Sequence, residues 1–334
     1  MGETILTNAL NEKIVLILIG VGVFIILAAL ADRFLTPRLK LRHRMNFYGY
    51  IFMAIPFVYF VVVLILPMLE AFQFSFLKYN ILGMDKPFIG LDNYRYLLRT
   101  ELFSKSLVNA FRFAMFRVPL VITLGLVTAL MFQRIKRFKN LLRTLMLLPF
   151  MTSGVALGWI FNYMYSRQGP VFWMLKSLGV PETKALLTLN VDTALYAIAF
   201  VSAWASIGYY TLLFTVGLDA IPEEVYDAAK VDGANGWKLF WKITWPLLNP
   251  TLVLVSILAV TASLKNFDLI RVMSGSNGTG GPMNSTLTMP LFIYMEAFTR
   301  LNMGRAAAST VVFFLIIMII TLVQLKVTQR DIQY

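Results

Sequence analysis

The segment that decides the fold lies between two long apolar runs and reads Ile221-Pro-Glu-Glu-Val-Tyr-Asp-Ala-Ala-Lys-Val-Asp-Gly-Ala-Asn-Gly-Trp-Lys-Leu-Phe-Trp-Lys-Ile-Thr-Trp-Pro-Leu-Leu-Asn-Pro250. Pro222 suits a first helical turn, because its missing N–H would have no partner there. The acids that follow it favour the positive end of the helix dipole, and Gly233 can end the helix or bend the chain. A second short helix would carry an apolar side of Trp237, Phe240 and Trp241. The segment therefore predicts a compact amphipathic helix–turn–helix.

Long apolar runs lie on both sides of this segment. A membrane helix needs roughly 20 mostly apolar residues. Seven runs come close to that length, at 14–31, 48–69, 108–132, 141–165, 193–218, 247–264 and 306–325. They are continuously apolar rather than alternating, which argues against β-barrel spans. The sequence predicts an all-α integral membrane protein, a helical bundle of about seven transmembrane helices.

The composition agrees with a membrane protein. Of the 334 residues, 58% are hydrophobic and 14% are charged, whereas a soluble domain is nearer half apolar and a quarter charged. The net charge of +13 does not indicate nucleic-acid binding, because the bases lie between apolar runs rather than on a polar surface. With no Cys and one His, the chain has no thiolate metal site, Cys nucleophile or His-based metal cluster.

Basic residues predict the orientation in the membrane. The stretches 33–44 and 134–143 each contain five Lys and Arg residues, and the second contains no acid. Cytoplasmic loops carry an excess of Lys and Arg, so we place both stretches in the cytoplasm. Counting runs then puts the N-terminus outside, the C-terminus inside, and the 221–250 segment on the cytoplasmic face. We expect a multi-pass protein of the cell inner membrane.

The 221–250 segment resembles the EAA loop of ABC importer permeases, in particular the MalF/MalG-like sugar permeases. Nine positions match: Asp227, Ala228, Ala229, Asp232, Gly233, Ala234, Phe240, Ile243 and Pro246. Asp227 replaces the commoner Glu and keeps its charge. Further matches lie at 88–94, at 267–268 and at 280–286. The resemblance covers roughly 45–330 and implies a six-helix permease core, preceded at 1–44 by an added helix and a basic loop.

The resemblance also implies a role and partners for the loop. In this family the loop, here 221–248, forms a coupling helix that docks on a cytoplasmic ATPase. The residues expected to couple are Glu224, Tyr226, Asp227, Ala228, Ala229, Asp232, Gly233, Ala234, Phe240 and Pro246. The chain has no G-x-x-x-x-G-K-[ST] phosphate loop, so ATP and Mg would be bound by partner chains and the permease itself would not be an enzyme. The expected partners are a second permease subunit, two ATP-binding subunits and an extracytoplasmic solute-binding protein.

Charged, aromatic and hydroxyl residues in or near the spans are candidates for the substrate path. A charge at membrane depth is costly and suggests function. Lys265 and Asp268, and Asp268 and Arg271, are spaced to meet on a helix. The candidates are Arg112, Arg117, Asn162, Tyr163, Ser202, Trp204, Ser206, Tyr209, Lys265, Asp268 and Arg271. The alternatives are that the bases snorkel to headgroups or pair with acids, and that the remaining residues simply pack between helices.

The sequence favours a permease subunit that forms half of a carbohydrate import path, with an acidic oligosaccharide such as a uronate fragment as substrate. The same importer type for neutral oligosaccharides is one alternative, and a stand-alone secondary transporter is another. A secondary transporter would not need an EAA-type loop. A membrane-embedded enzyme would need His, Cys or paired carboxylates at membrane depth, and the sequence contains no such cluster. No nucleic-acid partner is expected.

Overall fold

The computed structural model describes residues 41–83, 85–135, 137–275 and 280–328. The predicted run at 14–31 lies outside the described residues. The chain divides into two compact units, Met1–Gln73 and Phe74–Tyr334, and each is described by itself.

The described part of the first unit is one long apolar helical stretch. It comprises α1 (Leu41–Phe60), a π-helical turn (Val61–Ile65) and α2 (Leu66–Phe74). Pro56 lies inside α1, where it cannot donate to the helical hydrogen-bond ladder. The predicted run at 48–69 lies within this stretch, which is long and apolar enough to cross a membrane.

The regular secondary structure in the described residues of the second unit is helical, apart from two isolated β-bridges at Leu77–Phe88 and Asn80–Asn302. Its first helices are α3 (Asp92–Arg99), α4 (Glu101–Arg134), α5 (Lys139–Met151), α6 (Gly154–Tyr165), α7 (Pro170–Ser177) and α8 (Glu182–Ala185), followed by a 3₁₀ turn (Leu187–Leu189). Next come α9 (Ala194–Asp219), α10 (Glu223–Val231), α11 (Gly236–Leu239), a π turn (Phe240–Thr244), α12 (Trp245–Leu247) and α13 (Asn249–Leu264). The last are α14 (Asp268–Met273), a 3₁₀ turn (Pro282–Asn284), α15 (Met289–Tyr294), a π turn (Met295–Thr299) and α16 (Met303–Thr328).

The described residues contain four single helices that could cross a membrane, or six spans if two bent pairs count as one each. The prediction of one continuous span at 141–165 is wrong, because the chain turns by 89° between α5 and the stretch Gly154–Ser177. Thr152 adopts an extended backbone conformation and its N–H bonds to the Pro149 carbonyl, which closes α5. The run at 247–264 is also incomplete by itself, since Gly236–Leu247 precedes α13 at an angle of 69°.

Helix α9 is the centre of the second unit. Of the most apolar window in each candidate span, 61% is buried in α9 against 33% in α4. A Cβ added at Gly208 would lie 2.0 Å from the Met146 carbonyl oxygen of α5, so only glycine allows this close approach of helices. One core cluster, with Phe113 and Ile198, lies toward the start of α9, and a second, with Tyr210, lies toward its end.

The 88–94 stretch, one of the family-like motifs, fastens chain segments together. Its Asn93 is buried and donates hydrogen bonds from Nδ2 to the carbonyl oxygens of Ser75 and Leu77, both at 2.9 Å. Leu77 in turn lies against the first turn of α16, where a Cβ added at Gly304 would be 2.2 Å from the Leu77 carbonyl oxygen. This motif has a structural role that ties the start of the second unit to its last helix.

Candidate functional site: the two ends of helix α9

The loop that follows α9 begins with helix α10. Pro222 is the residue before the helix, with φ −60° and ψ 139°, so its predicted place inside the first turn is wrong by one position. Glu223 and Glu224 occupy the first turn, where the helix dipole favours negative charge. The sequence therefore starts a helix here by charge and by the fixed φ of proline.

Helix α10 is closed at Gly233, as the sequence predicted. Gly233 has φ +78°, a left-handed conformation that other residues adopt only with strain. The N–H of Gly233 donates to the Lys230 carbonyl at 3.0 Å, and the N–H of Ala234 donates to the Ala229 carbonyl at 2.9 Å. This pair of bonds is a Schellman motif, which satisfies carbonyls that a helix end leaves free. The turn is closed entirely by local backbone contacts.

The second half of the loop differs from the predicted short helix. It is α-helical only over Gly236–Leu239, widens to a π turn at Phe240–Thr244 and returns to α at Trp245–Leu247. Its aromatic rings form one cluster, with centroid separations from 5.2 to 6.4 Å among Trp237, Phe240, Trp241 and Trp245. This aromatic cluster stiffens the connection from the loop to α13.

The predicted coupling residues form a mostly exposed surface. Glu224, Asp227, Ala228, Asp232, Gly233 and Pro246 are exposed, Tyr226, Ala234 and Phe240 are half-buried, and Ala229 is buried against the loop. Asp227 accepts a 2.8 Å hydrogen bond from Lys230 Nζ, and this bond raises the pKa of Lys230. A cleft of about 880 Å³ separates the loop from the basic residues Arg134 and Lys139. The loop thus presents a stiff helix with small and acidic residues on its surface.

Arg117 lies midway along α4 and is only 4% exposed. Its three guanidinium nitrogens bond to serine hydroxyls on two other helices, Nε to Ser202 at 2.8 Å, NH1 to Ser263 at 2.8 Å and NH2 to Ser206 at 2.6 Å. Ser206 and Ser263 donate their own hydrogens to carbonyls four residues earlier, so their lone pairs accept from Arg117. We call these four residues the Arg117 cradle.

The cradle covers its arginine with this chain's own helices. Within the described residues Arg117 has no carboxylate within 4.0 Å. In this conformation its guanidinium is sealed between α4, α9 and α13, so its role in a substrate path stays a prediction. Asn266 extends the network by donating to Ser202 at 2.9 Å. Sequence reasoning did not identify Ser263 or Asn266. The signal that could have found them is polar side chains in or beside an apolar run near a membrane arginine.

The other predicted basic residues do not gather around Arg117. Arg112 is exposed on the opposite side of α4, and Lys265 is exposed beside a groove between α13 and α16. The predicted Lys265–Asp268 pairing on one helix is wrong, because α13 ends at Leu264 and α14 starts at Asp268. Arg271 stacks on the ring of Tyr294 at 3.9 Å. Among the ion pairs of the described residues, none joins Asp268 to either base.

The remaining path candidates pack mainly against other rings. Tyr209 stacks on Phe150 with centroids 4.6 Å apart, and Trp204 meets Phe161 edge-on at 5.4 Å. Tyr163 is exposed on α6. Asn162 donates from Nδ2 to the Val272 carbonyl at 2.9 Å, which joins α6 to α14. None of these contacts tests a role in transport.

A pocket of about 790 Å³ lies at the start of α9, and we call it the outer pocket after the side of the membrane that the sequence predicts for this end. Three separate segments line it, 159–168, 186–189 and 271–275, and they include the predicted Asn162 and Arg271. Its size falls within the usual range for small-molecule sites. No local sequence pattern predicted this pocket, since residues over 100 positions apart in the chain, such as Trp159 and Arg271, form its wall.

The length of α9 separates the pocket from the loop. Its 26 residues span about 39 Å at 1.5 Å per residue, more than the roughly 30 Å of a bilayer's hydrocarbon core. The outer pocket is built partly from residues just before Ala194, and the loop follows Asp219. The two regions therefore fit opposite faces of a membrane.

Straight and broken apolar helices of membrane-spanning length, joined by a helical loop at one end, define the class of multi-pass α-helical membrane proteins. The family described as binding-protein-dependent transport system inner membrane component matches residues 121–331. The chain belongs to this family, and it is an ABC importer permease, as the sequence predicted.

Individual relatives agree with the family assignment. The chain is 34% identical over 293 residues to the trehalose/maltose transport system permease protein MalF of Thermococcus litoralis, covering 86% of this chain and 96% of that one. It is 30% identical over 285 residues to the multiple sugar-binding transport system permease protein MsmF of Streptococcus mutans, covering 85% and 96%. A crystal structure of a bacterial ABC transporter that imports the acidic polysaccharide alginate has a similar fold, with a TM-score of 0.75 at 19% identity, covering 87% and 98%.

Proposed function

We propose that this chain is one of two permease subunits of an ATP-driven carbohydrate importer and forms half of its translocation path. The observation that carries the proposal is the loop after α9, with a short stiff helix closed by Gly233 and an exposed surface of small and acidic residues. Rigid-body coupling needs such an element. We propose that it docks on a partner ATPase, which binds ATP and Mg.

The charges around the loop support an orientation in the membrane. Arg134, Lys139 and Arg143 lie at the same end of the bundle as the loop, and Arg143 approaches Asp219 at 3.7 Å. Because basic loops favour the cytoplasm, we propose that this end faces the cytoplasm and the outer pocket faces the other side. An extracytoplasmic solute-binding protein would then deliver substrate to the outer end.

For the substrate we propose a carbohydrate and favour an acidic oligosaccharide. The names of MalF and MsmF support the carbohydrate class. Arg112, Lys265 and Arg271 retain exposed or half-exposed positions, and none forms an ion pair within the described residues, which supports an anionic cargo. A neutral oligosaccharide is the alternative, and it is favoured by the complete burial of Arg117 within the chain.

Coupling can be tested with a matched pair of glycine variants. Gly179, at the end of α7, has φ +83° and makes the same two backbone bonds as Gly233, from Gly179 to Lys176 and from Val180 to Leu175. Proline disrupts both sites equally, since it cannot adopt a positive φ or donate a hydrogen bond. We expect Gly233→Pro to abolish most binding-protein-stimulated ATP hydrolysis in proteoliposomes, and Gly179→Pro to leave it near the parent value.

A charge variant tests the same surface in another way. Asp227→Lys reverses the charge near the start of α10 without changing the backbone, and we expect it to lower transport-coupled ATP hydrolysis while membrane insertion stays intact. Normal hydrolysis and uptake in both Gly233→Pro and Asp227→Lys would contradict the coupling role.

A further inference from the structure

The outer pocket combines three kinds of side chain that sugars with a carboxylate require. Trp159 offers an aromatic face that is 68% exposed. Asn162, Gln168 and Thr188 supply amide and hydroxyl groups, and Arg167 and Arg271 supply positive charge. The lining contains no Asp or Glu. An aromatic wall with a few converging polar groups is the usual composition of a ligand site.

Arg271 is held in a position that leaves its donors available. Its guanidinium carbon lies 3.9 Å from the centre of the Tyr294 ring, and a cation–π contact of this kind uses no hydrogen-bond acceptor. In the described part of the chain, Arg271 makes no side-chain hydrogen bond and no ion pair. A preorganised guanidinium with an unused N–H fork matches a carboxylate in bidentate geometry.

Arg167, the second basic residue of the pocket, is held less firmly than Arg271. Arg167 forms an exposed ion pair with Glu182 at 3.1 Å, and exposed pairs contribute little and are readily exchanged. Arg167 can therefore turn toward a ligand at small cost, whereas Arg271 is already fixed. We assign the main anion contact to Arg271.

Trp159 and Arg271 are held on one wall by close packing of α6 on α14. A Cβ at Gly158 would lie 2.7 Å from Val272 Cγ1, and Asn162 bonds to the Val272 carbonyl. Gly158 and Val272 are the chain neighbours of Trp159 and Arg271, and Asn162 lies about one helical turn after Trp159. The wall is consequently rigid, which lowers the entropy lost when a ligand binds.

We propose that the outer pocket is a binding subsite for a uronate unit of an oligosaccharide, with Trp159 stacking on the sugar ring and Arg271 binding its carboxylate. The proposal rests on the carbohydrate function proposed above and assigns a place where the sugar meets this chain before it enters the membrane path. Arg112, Arg117 and Lys265 have no part in it.

Equilibrium binding to the complete transporter tests the subsite. We would titrate a uronate tetrasaccharide and maltotetraose into the assembled transporter in nanodiscs, without the solute-binding protein. Arg271→Gln should weaken uronate binding about tenfold, the loss expected for one charge-assisted contact, and should leave maltotetraose binding unchanged. Trp159→Ala should weaken both sugars. The matched controls, Arg99→Gln and Trp173→Ala, change exposed residues outside the pocket and should weaken neither.

Cysteine protection gives a readout that does not depend on removing the contacts. The chain has no Cys, so Gln168→Cys introduces a single thiol in the pocket wall. The uronate tetrasaccharide should slow its reaction with an impermeant maleimide. A thiol that is unreactive in the assembled transporter would mean that another subunit fills the pocket and would overturn the proposal, as would a reactive thiol that the sugar does not protect.

Parallel uptake assays separate this proposal from the proposed function. If the parent imports the uronate with ATP but Arg271→Gln binds it as tightly as the parent, the subsite is wrong and the importer assignment stands. If the pocket binds the uronate as predicted but no sugar is imported, the importer assignment is wrong and the subsite stands.

Discussion

The two ends of α9 differ in how they are built, one from local contacts and the other from segments far apart in the chain. The loop at its C-terminal end is one continuous stretch from Ile221 to Leu248, and its turn is closed by backbone bonds between residues three and five apart. The outer pocket at its N-terminal end is assembled from three segments far apart in the chain. A contiguous unit can move as a body, whereas a wall of separate segments brings side chains from distant parts of the chain around one ligand. The difference suits transmission of force at one end and accommodation of a solute at the other.

The Arg117 cradle lies between these ends. It joins α4, α9 and α13 through three serine hydroxyls, two of which, those of Ser206 and Ser263, also donate to carbonyls of their own helices. A buried charge without a carboxylate depends on every one of its hydrogen bonds. The cradle therefore makes the middle of the bundle sensitive to small changes, although neither end contains it.

The largest expected effect comes from a side chain that forces α5 and α9 apart. Gly208→Val would place side-chain atoms against the Met146 carbonyl, where even a Cβ lies at 2.0 Å. We expect a loss of about 3 kcal/mol or more from overpacking, seen as a collapse in the yield and melting temperature of the purified protein. Gly49→Val is the control, because a Cβ there meets nothing within 4 Å. A variant at Gly208 as stable as the parent would contradict the close packing of α5 on α9.

A double-mutant cycle in the cradle has the next largest effect. Ser206→Ala leaves an Arg117 nitrogen without its partner, which should cost about 1–3 kcal/mol. In an Arg117→Met background the same serine change should cost almost nothing, because no buried donor remains. Melting temperatures of the four proteins measure the coupling. Equal losses from Ser206→Ala in both backgrounds would show that the serine acts independently of the arginine.

At the outer end, one side chain bonds to a distant segment, so its removal should loosen that segment alone. Asn109 donates from Nδ2 to the carbonyls of Asn284 and Leu287, each at 3.0 Å. Asn109→Ala should therefore speed hydrogen exchange at 285–288 by about tenfold or more, corresponding to at least about 1.4 kcal/mol of lost local stability. Exchange at 223–234 should not change, since those bonds are local. Faster exchange at both places would mean that the two ends are not independent folding units.

The smallest effect concerns the exposed pair Asp227–Lys230. Hydrogen bonding to Asp227 raises the pKa of Lys230 above its ordinary value of 10.5. Because the pKa of Lys230 is higher in the folded than in the unfolded state, the pair stabilises the fold at every pH below the unfolded pKa. This stabilisation is lost only as the pH rises through the folded pKa. From pH 6 to 9 the pair is fully formed, so Asp227→Asn should lower the melting temperature only slightly and by the same amount throughout that range, because an exposed ion pair contributes little to stability. A large loss of melting temperature relative to the parent in that pH range would show that the pair supports the fold rather than a partner contact.

The sequence predicted the loop well and the pocket poorly, for one physical reason. Gly233, the acids of α10 and the aromatic side of the second half act on neighbours within a few residues, so their effects are visible in a short stretch. The pocket depends on breaks that apolar patterning does not reveal, as at Thr152, where α5 ends inside a run that looked continuous. Ser202 and Ser206, two of the three serines around Arg117, were predicted only as path candidates because they share one face of α9, whereas Ser263 comes from α13 and was not identified.

We expect the loop to face the cytoplasm and the outer pocket end of α9 to face the opposite side of the membrane. Single cysteines at Asn140, near the loop, and at Leu178, near the pocket end but outside its lining, test it directly, because both residues are exposed and the chain has no other Cys. In intact spheroplasts an impermeant maleimide should label Leu178→Cys, and Asn140→Cys should react only after permeabilisation. Labelling of both thiols from outside, or of Asn140→Cys alone, would overturn this orientation.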